Sequence, residues 1–98
     1  MTLPVRTRPQ ADADLLEART WYDAQEAGLG SAFFEAVSAM VHRIADMPLA
    51  FPLADGQTRR AVLRRYPYSV YFQVREDHIL IVAIMHNSRD PRRWQSRG

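Results

Sequence analysis

Residues 66–85 read YPYSVYFQVREDHILIVAIM, and this stretch decides the fold. β-Branched and aromatic side chains dominate 70–74, and these residue types suit a pleated, half-buried surface. Glu76-Asp77 interrupts them, and Ile79–Met85 then continues without a polar side chain. A strand that is apolar at every position is covered on both faces or central in its sheet. The stretch therefore predicts a hairpin of two strands, turning at Glu76-Asp77, on which the rest of the chain packs.

Two helices are predicted before this hairpin. The first begins between Thr7 and Asp12 and ends before Gly28, a natural left-handed stop. Its apolar face is Leu15, Ala18, Tyr22 and Gln25, broadened by Leu16 and Trp21, while Asp14, Glu17, Arg19 and Asp23 face water. The second opens at Gly30-Ser31 with Ser31 as N-cap, and ends at Met47-Pro48. The short link between them predicts a helical hairpin.

Two further strands complete the predicted sheet. Leu3–Arg8 alternates weakly, and Pro4 confines it to an edge. Arg59–Arg65 alternates around Ala61 and Leu63, after an irregular connection over Pro48–Thr58. The order β-α-α-β-β-β indicates an α+β domain spanning residues 1–98, with the helical hairpin on one face of a mainly antiparallel sheet. The predicted core between helix two and the sheet comprises Phe34, Val37, Val41, Ile44, Val70, Phe72, Ile81 and Ala83.

Composition narrows the classes of function. The 98 residues are 47% hydrophobic and 24% charged, which is typical of one small globular domain. The absence of cysteine excludes disulfides and thiolate metal sites, and His42, His78 and His86 lack metal-ligand spacing. Charges near the N-terminus break up any apolar leader, so we expect no signal peptide, no membrane association and a cytoplasmic protein. No sequence feature calls for a cofactor.

The charge is distributed unevenly along the chain. Residues 1–58 carry four arginines against eight acidic residues, a net charge of −4, whereas residues 59–98 carry nine arginines against three acidic residues, a net charge of +6. Every Lys-or-Arg position is arginine. Arginine offers a planar fork of donors for phosphate or carboxylate. The C-terminal half therefore favours an anionic partner, either single-stranded RNA or an acidic amphipathic helix, because Tyr66, Tyr68, Tyr71 and Trp94 are interleaved with the arginines.

His86 is the best candidate for acid–base chemistry. It ends the apolar strand, where a side chain is held rigidly and yet remains reachable, and Asn87, Ser88 and Arg89 follow it. The alternative is a structural histidine satisfied by backbone groups. No serine has the context of a catalytic nucleophile.

From Ala13 to Arg97 the chain resembles the RelE/ParE superfamily of bacterial type II toxins, also called plasmid stabilisation proteins. The residues that carry the resemblance are Asp14-Leu15, Trp21-Tyr22, Gln25, Gly28-Leu29-Gly30, Phe33-Phe34, Pro48, Phe51-Pro52, Arg59-Arg60, Leu63, Arg65-Tyr66-Pro67-Tyr68, Val70-Tyr71-Phe72, His86, Arg89-Asp90-Pro91 and Trp94. The resemblance implies the same β-α-α-β-β-β fold and a cognate, acidic antitoxin that wraps the toxin.

The resemblance leaves two activities open. ParE-like members inhibit DNA gyrase without cutting nucleic acid, whereas RelE-like members cleave mRNA on the ribosome. The Gly-Leu-Gly feature, the lack of lysine and Trp94 as the last aromatic favour the ParE-like branch. A non-toxic remnant that only binds an antitoxin is a third hypothesis.

Each activity predicts its own set of site residues. The antitoxin-binding set is Arg59, Arg60, Arg64 and Arg65, since arginine pairs bidentately with carboxylates. The target-binding set for gyrase is Arg92, Arg93 and Trp94. If the protein is instead a nuclease, His86 is its acid or base, with Arg60, Arg65 and Arg89 around the scissile phosphate.

Overall fold

The computed structural model describes residues 2–97, and they form a mixed sheet with two long helices on one face. The elements are β1 Val5–Thr7, α1 Pro9–Gln25, α2 Leu29–Asp46, β2 Leu53–Asp55, β3 Thr58–Val62, β4 Tyr68–Val74, β5 Ile79–His86 and a short α3 Arg92–Gln95. The sheet order is β1-β5-β4-β3-β2, with β1 parallel to β5 and the other pairs antiparallel. The predicted α+β fold is confirmed. Within these residues, no helix is long and apolar enough to cross a membrane.

The β4–β5 hairpin forms the centre of the sheet, as predicted. Tyr68 lies opposite His86 and Val74 opposite Ile79, and the Arg75 N–H donates to the His78 carbonyl across the turn. Two strand predictions need correction. Pro48–Thr58 is not wholly irregular, because it contains a 3₁₀ turn and the edge strand β2, and the strand predicted to reach Arg65 ends at Val62.

Glycines set the close approach of the two long helices. Gly28, with φ of +88°, precedes α2, so the prediction of Ser31 as N-cap is wrong. At Gly30, an added Cβ would lie 2.5 Å from the Arg19 carbonyl oxygen. The Gly30 N–H donates to Asp23 Oδ1 at 2.8 Å, which ties the start of α2 to α1.

The main core lies between the helices and the sheet. Its members include Val37, Ile44, Val70, Phe72 and Ile81 as predicted, with Val41 partly buried against them. Phe34 is not a core residue: it is 39% exposed and lies under the Arg19 guanidinium, whereas its neighbour Phe33 is fully buried. The sequence pattern placed both phenylalanines in one wide stripe, and only Phe33 faces the sheet. Leu16 and Trp21, 66% and 56% exposed, likewise lie outside the apolar face of α1.

A second apolar cluster covers the opposite face of the sheet. A register irregularity pairs Tyr71 with Ala83 but Phe72 with Ile81, leaving Val82 as an extra residue in β5. Ala83 is therefore buried in this second cluster rather than beneath α2. Trp94 of α3 closes the cluster, with its ring stacked 4.3 Å from that of Tyr71. Strand β5 is thus covered on both faces, in agreement with its uninterrupted apolar sequence.

Candidate functional site

Arg60 is held by neutral oxygens on the face of the sheet that α3 partly covers. Its Nε donates to Ser69 Oγ at 3.0 Å, and Nη2 donates to Asn87 Oδ1 at 3.2 Å. The Ser69 hydroxyl also donates to Asn87 Oδ1, at 2.6 Å. Tyr71 lies below, with its ring centroid 5.9 Å from the guanidinium carbon. The guanidinium is consequently fixed in position without a carboxylate among these partners.

A groove of about 370 Å³ opens beside this guanidinium, and we call it the basic groove. It lies between the β2 segment and α3, and is lined by Pro52, Leu53, Ala54, Arg60, Tyr71, Asn87, Arg89, Pro91, Trp94 and Gln95. The second guanidinium, that of Arg89, reaches Glu17 at 3.5 Å in an exposed pair. Such a pair holds its partners weakly, so Arg89 remains able to meet an anion.

His86 lies on the helix side of the sheet, in a separate pocket of about 360 Å³ whose lining includes Trp21 and Tyr22. Its Nδ1 accepts the Ser88 N–H at 3.1 Å and lies 2.8 Å from the Ser88 hydroxyl. Because an N–H donor fixes Nδ1 as an acceptor, the neutral ring carries its proton on Nε2. The ring also packs edge-on against Tyr68, centroid to centroid 5.2 Å.

The four residues of the predicted nuclease set do not surround one point. Arg60 and Arg89 line the basic groove, and Arg89 also lines the pocket of His86. Arg65 lies apart, on a surface formed with Met40 of α2 and its neighbours. His86 and Arg60 reach opposite faces of the sheet, so no single phosphate would contact the whole set.

The predicted antitoxin-binding arginines are also divided. Arg59 donates to the Phe51 carbonyl at 2.7 Å, while its neighbour Arg60 faces the basic groove, because successive strand residues alternate between faces. Arg64 and Arg65 are exposed and follow β3 rather than belonging to it. An antitoxin that meets all four would have to wrap around the edge of the sheet.

The predicted target-binding residues lie together on α3. Arg92 forms an ion pair with Asp90 at 2.6 Å, and the Arg92 hydrogen bonds hold the pKa of the Asp90 carboxyl below its usual range. Arg93 is exposed. Trp94 is only 4% exposed, so it anchors α3 to the sheet while the two arginines face solvent.

Sequence reasoning missed one buried ion pair. Asp14 was predicted to face water, but its carboxylate accepts from Arg97 Nη1 at 2.6 Å and Nη2 at 3.3 Å. The Ile84 N–H donates to the same carboxylate at 3.1 Å. The pair ties the C-terminal tail to α1 beside β5, where Arg97 also approaches the Val82 carbonyl oxygen. A local pattern holds no signal for a contact between residues so far apart in sequence.

Burial governs the ionisation of Tyr68, which lies between His86 and α1. Burial raises the pKa of the Tyr68 phenol, Arg89 opposes that rise and Glu17 adds to it. Burial likewise raises the pKa of Tyr22. Along residues 2–97, no group of three or more His, Asp or Glu side chains is placed to hold a metal ion.

Comparison with known proteins gives one family and related folds. The model for the ParE toxin of type II toxin–antitoxin systems, parDE, matches residues 5–91. A chain of the chromosomal ParDE system from P. aeruginosa superposes with a TM-score of 0.78 and 19% identity, covering 87% of this chain and 96% of that one. A chain of the RelBE2 toxin–antitoxin complex from Mycobacterium tuberculosis superposes with a TM-score of 0.63 and 19% identity, covering 88% of this chain and 99% of that one.

A search of curated proteins gives no significant match. At 19% identity the two structural relatives establish the fold alone. The family model is the stronger finding, because it spans most of the chain and includes the hairpin, both long helices and the edge strands. The protein therefore belongs to the ParE toxin family of type II toxin–antitoxin systems.

Proposed function

We propose that this toxin inhibits DNA gyrase by binding, without cutting nucleic acid, and that a cognate acidic antitoxin neutralises it. The observation that carries the proposal is the dispersal of the residues predicted for a nuclease. His86 and Arg60 reach opposite faces of the sheet, and Arg65 lies beside α2. Acid–base catalysis requires its groups within hydrogen-bond reach of one substrate.

The hydrogen bonding of His86 argues against one of its two predicted roles, that of general base. Its Nδ1 is occupied as an acceptor by the Ser88 N–H, so its free nitrogen in the neutral ring carries a proton and cannot accept another. A general base would need the opposite arrangement at the exposed nitrogen. The contacts with Ser88 and Tyr68 give His86 a structural role at the end of β5.

The exposed arginines of α3 form the surface we assign to gyrase. Arg92 and Arg93 face solvent, and the buried Trp94 fixes the short helix that carries them. The exposed guanidinium of Arg93 suits an acidic patch on a protein target, whereas that of Arg92 is already paired with Asp90. The antitoxin is assigned to the face of β3 that presents Arg60, because the two structural relatives come from toxin–antitoxin systems and Arg60 offers an unneutralised charge.

Two assays on the purified toxin test the proposal: supercoiling of relaxed plasmid by gyrase, and cleavage of message on programmed ribosomes. We expect the toxin to inhibit supercoiling and to leave the message uncut, and we expect the His86→Ala variant to inhibit supercoiling as fully as the unmodified toxin. Arg93→Gln should weaken inhibition, whereas Arg64→Gln, which removes the same charge elsewhere, should not. Message cleavage that falls ~100-fold in His86→Ala, the usual effect of losing an acid–base group, would instead establish a ribosome-dependent nuclease.

A further inference from the structure

The charge of Arg60 lacks a counterion in the part of the chain that the structure describes. Its hydrogen-bond acceptors are the Ser69 hydroxyl and the Asn87 amide oxygen, both neutral. Arg92 and Arg97, by contrast, each pair with an aspartate at 2.6 Å. A half-buried guanidinium normally gains a charged acceptor, since hydrogen bonds to ions are roughly twice as strong as neutral ones. Arg60 is thus oriented by its neighbours but not neutralised by them.

The groove in front of Arg60 has the same imbalance. Of the described residues that line it, two are arginines and none is an aspartate or glutamate. One wall is the β2 segment, where the side chain of Leu53 is exposed. The site therefore combines a fixed positive charge with an adjacent apolar surface along a strand at the edge of the sheet.

We propose that the basic groove binds a carboxylate side chain of an extended acidic protein segment, with Arg60 as its principal contact and Leu53 against an apolar neighbour. The planar guanidinium fork matches a carboxylate, and Arg89, which also lines the groove and is only weakly paired with Glu17, supplies a second positive charge. The inference deepens the antitoxin half of the proposed function, on which it rests, and does not involve the gyrase half. Of the four arginines predicted to bind the antitoxin, the inference selects Arg60, which faces the groove.

The state of the aromatic residues favours a protein segment over single-stranded nucleic acid. Proteins hold single strands by stacking bases on exposed aromatic rings. In the basic groove, the two rings are stacked on each other, Tyr71 against Trp94 at 4.3 Å, and both are buried. No free ring face is left beside Arg60 among the residues lining this groove. The groove can pair with an anion but cannot stack its base.

Fluorescence anisotropy with three labelled probes tests the proposal. The first is an acidic decapeptide of Leu, Glu and Gly in which a Gly follows each Leu and each Glu. The second is the same peptide with Gln in place of Glu, and the third is a ten-residue oligothymidylate. We expect the acidic peptide to bind, and Arg60→Gln to weaken it at least ~10-fold, the loss of one charged hydrogen-bonding group. Arg64→Gln, which removes the same charge from an exposed site, should weaken it less than ~3-fold. The neutral peptide should not bind.

Three outcomes would overturn the proposal. If Arg60→Gln and Arg64→Gln weakened binding of the acidic peptide equally, the binding would depend only on the net charge of the protein. If the acidic and neutral peptides bound equally well, the binding would depend only on apolar contacts. Tighter binding of the oligothymidylate, with the same dependence on Arg60, would make the groove a nucleic-acid site.

A measurement on the unmodified protein guards against misfolding, because Arg60→Gln also breaks contacts with Ser69 and Asn87. On titration with the acidic peptide, the NMR signal of the Arg60 Nε–H should move while that of Arg59, on the other face, stays. An unmoved Arg60 signal at saturation overturns the inference. If the protein bound the acidic peptide but did not inhibit gyrase, only the gyrase proposal would be contradicted. Failure of the inference and failure of the gyrase proposal can therefore be told apart.

Discussion

Loss of the Asp14–Arg97 ion pair should destabilise this protein more than its position near the end of the chain suggests. The side chains of Arg97 and Asp14 are only 17% and 14% exposed. Besides the two guanidinium bonds, the Ile84 N–H donates to the same carboxylate. Replacing Arg97 by Gln would leave the Asp14 charge largely buried with one remaining donor.

The magnitude follows from that burial. Removing one partner of a fully buried ion pair costs ~3–5 kcal/mol, and a charged hydrogen bond contributes ~1.5–3 kcal/mol. Because water reaches the rim of this pair, we expect Arg97→Gln to lower the free energy of unfolding by about 2–3 kcal/mol. For a domain of this size the melting temperature should fall by roughly 10–20 °C. Asp14→Asn should cost less, since its amide oxygen can still accept from Ile84.

A double-mutant cycle by urea unfolding measures the pair directly. The coupling energy between Arg97→Gln and Asp14→Asn should exceed ~1.5 kcal/mol. The matched control is the exposed Arg89–Glu17 pair, 3.5 Å apart, for which the same cycle should give at most ~0.5 kcal/mol. Equal coupling in both cycles would refute the reasoning, because the Asp14–Arg97 pair is more buried than the control pair and has shorter and more numerous hydrogen bonds.

Two further predictions concern the aromatic core. Phe33→Ala should lower the free energy of unfolding in urea by ~3–5 kcal/mol, because its buried ring packs 5.0 Å from those of both Tyr22 and Tyr68. Phe34→Ala should lower it by only about 1 kcal/mol, because its ring is partly exposed. Equal losses of stability would contradict the orientation of α2, in which Phe33 and not Phe34 faces the sheet. Since burial raises the pKa of Tyr68 above the unfolded value of ~10, its contribution to stability is complete below that pH and is lost as pH rises through the folded pKa. Tyr68→Phe should therefore flatten the alkaline fall of the urea midpoint, and an unchanged slope would assign the fall to other groups.

Much of the fold follows from local patterns in the sequence. The apolar run Ile79–Met85 predicted a strand covered on both faces, and β5 has that environment because the two clusters lie on either side of it. Proline at 48 predicted where the second helix stops, since it restricts the backbone of its own residue and of the one before it. The first helix ends at Gln25, before the stop predicted at Gly28, and the left-handed backbone of Gly28 instead precedes α2. The order of elements then left few ways to bury the apolar faces, and the α+β arrangement is confirmed.

Positions that depend on distant partners required the tertiary structure. Phe33 and Phe34 are adjacent residues with the same side chain, and only the packing of α2 decides which one is buried. From the sequence, Asp14 resembles a solvated carboxylate near the start of α1, and only the fold brings Arg97 to it.

The candidate site shows the same division between sequence and structure. Composition identified a basic C-terminal half, but not that its arginines are shared among opposite faces of one sheet. Alternation along β3 sends Arg59 and Arg60 to opposite sides, and Ser69 and Asn87 from two other segments fix Arg60 at the groove. Residue type determines what a side chain can bind, whereas burial and neighbours, which only the folded chain creates, determine whether its charge is still available.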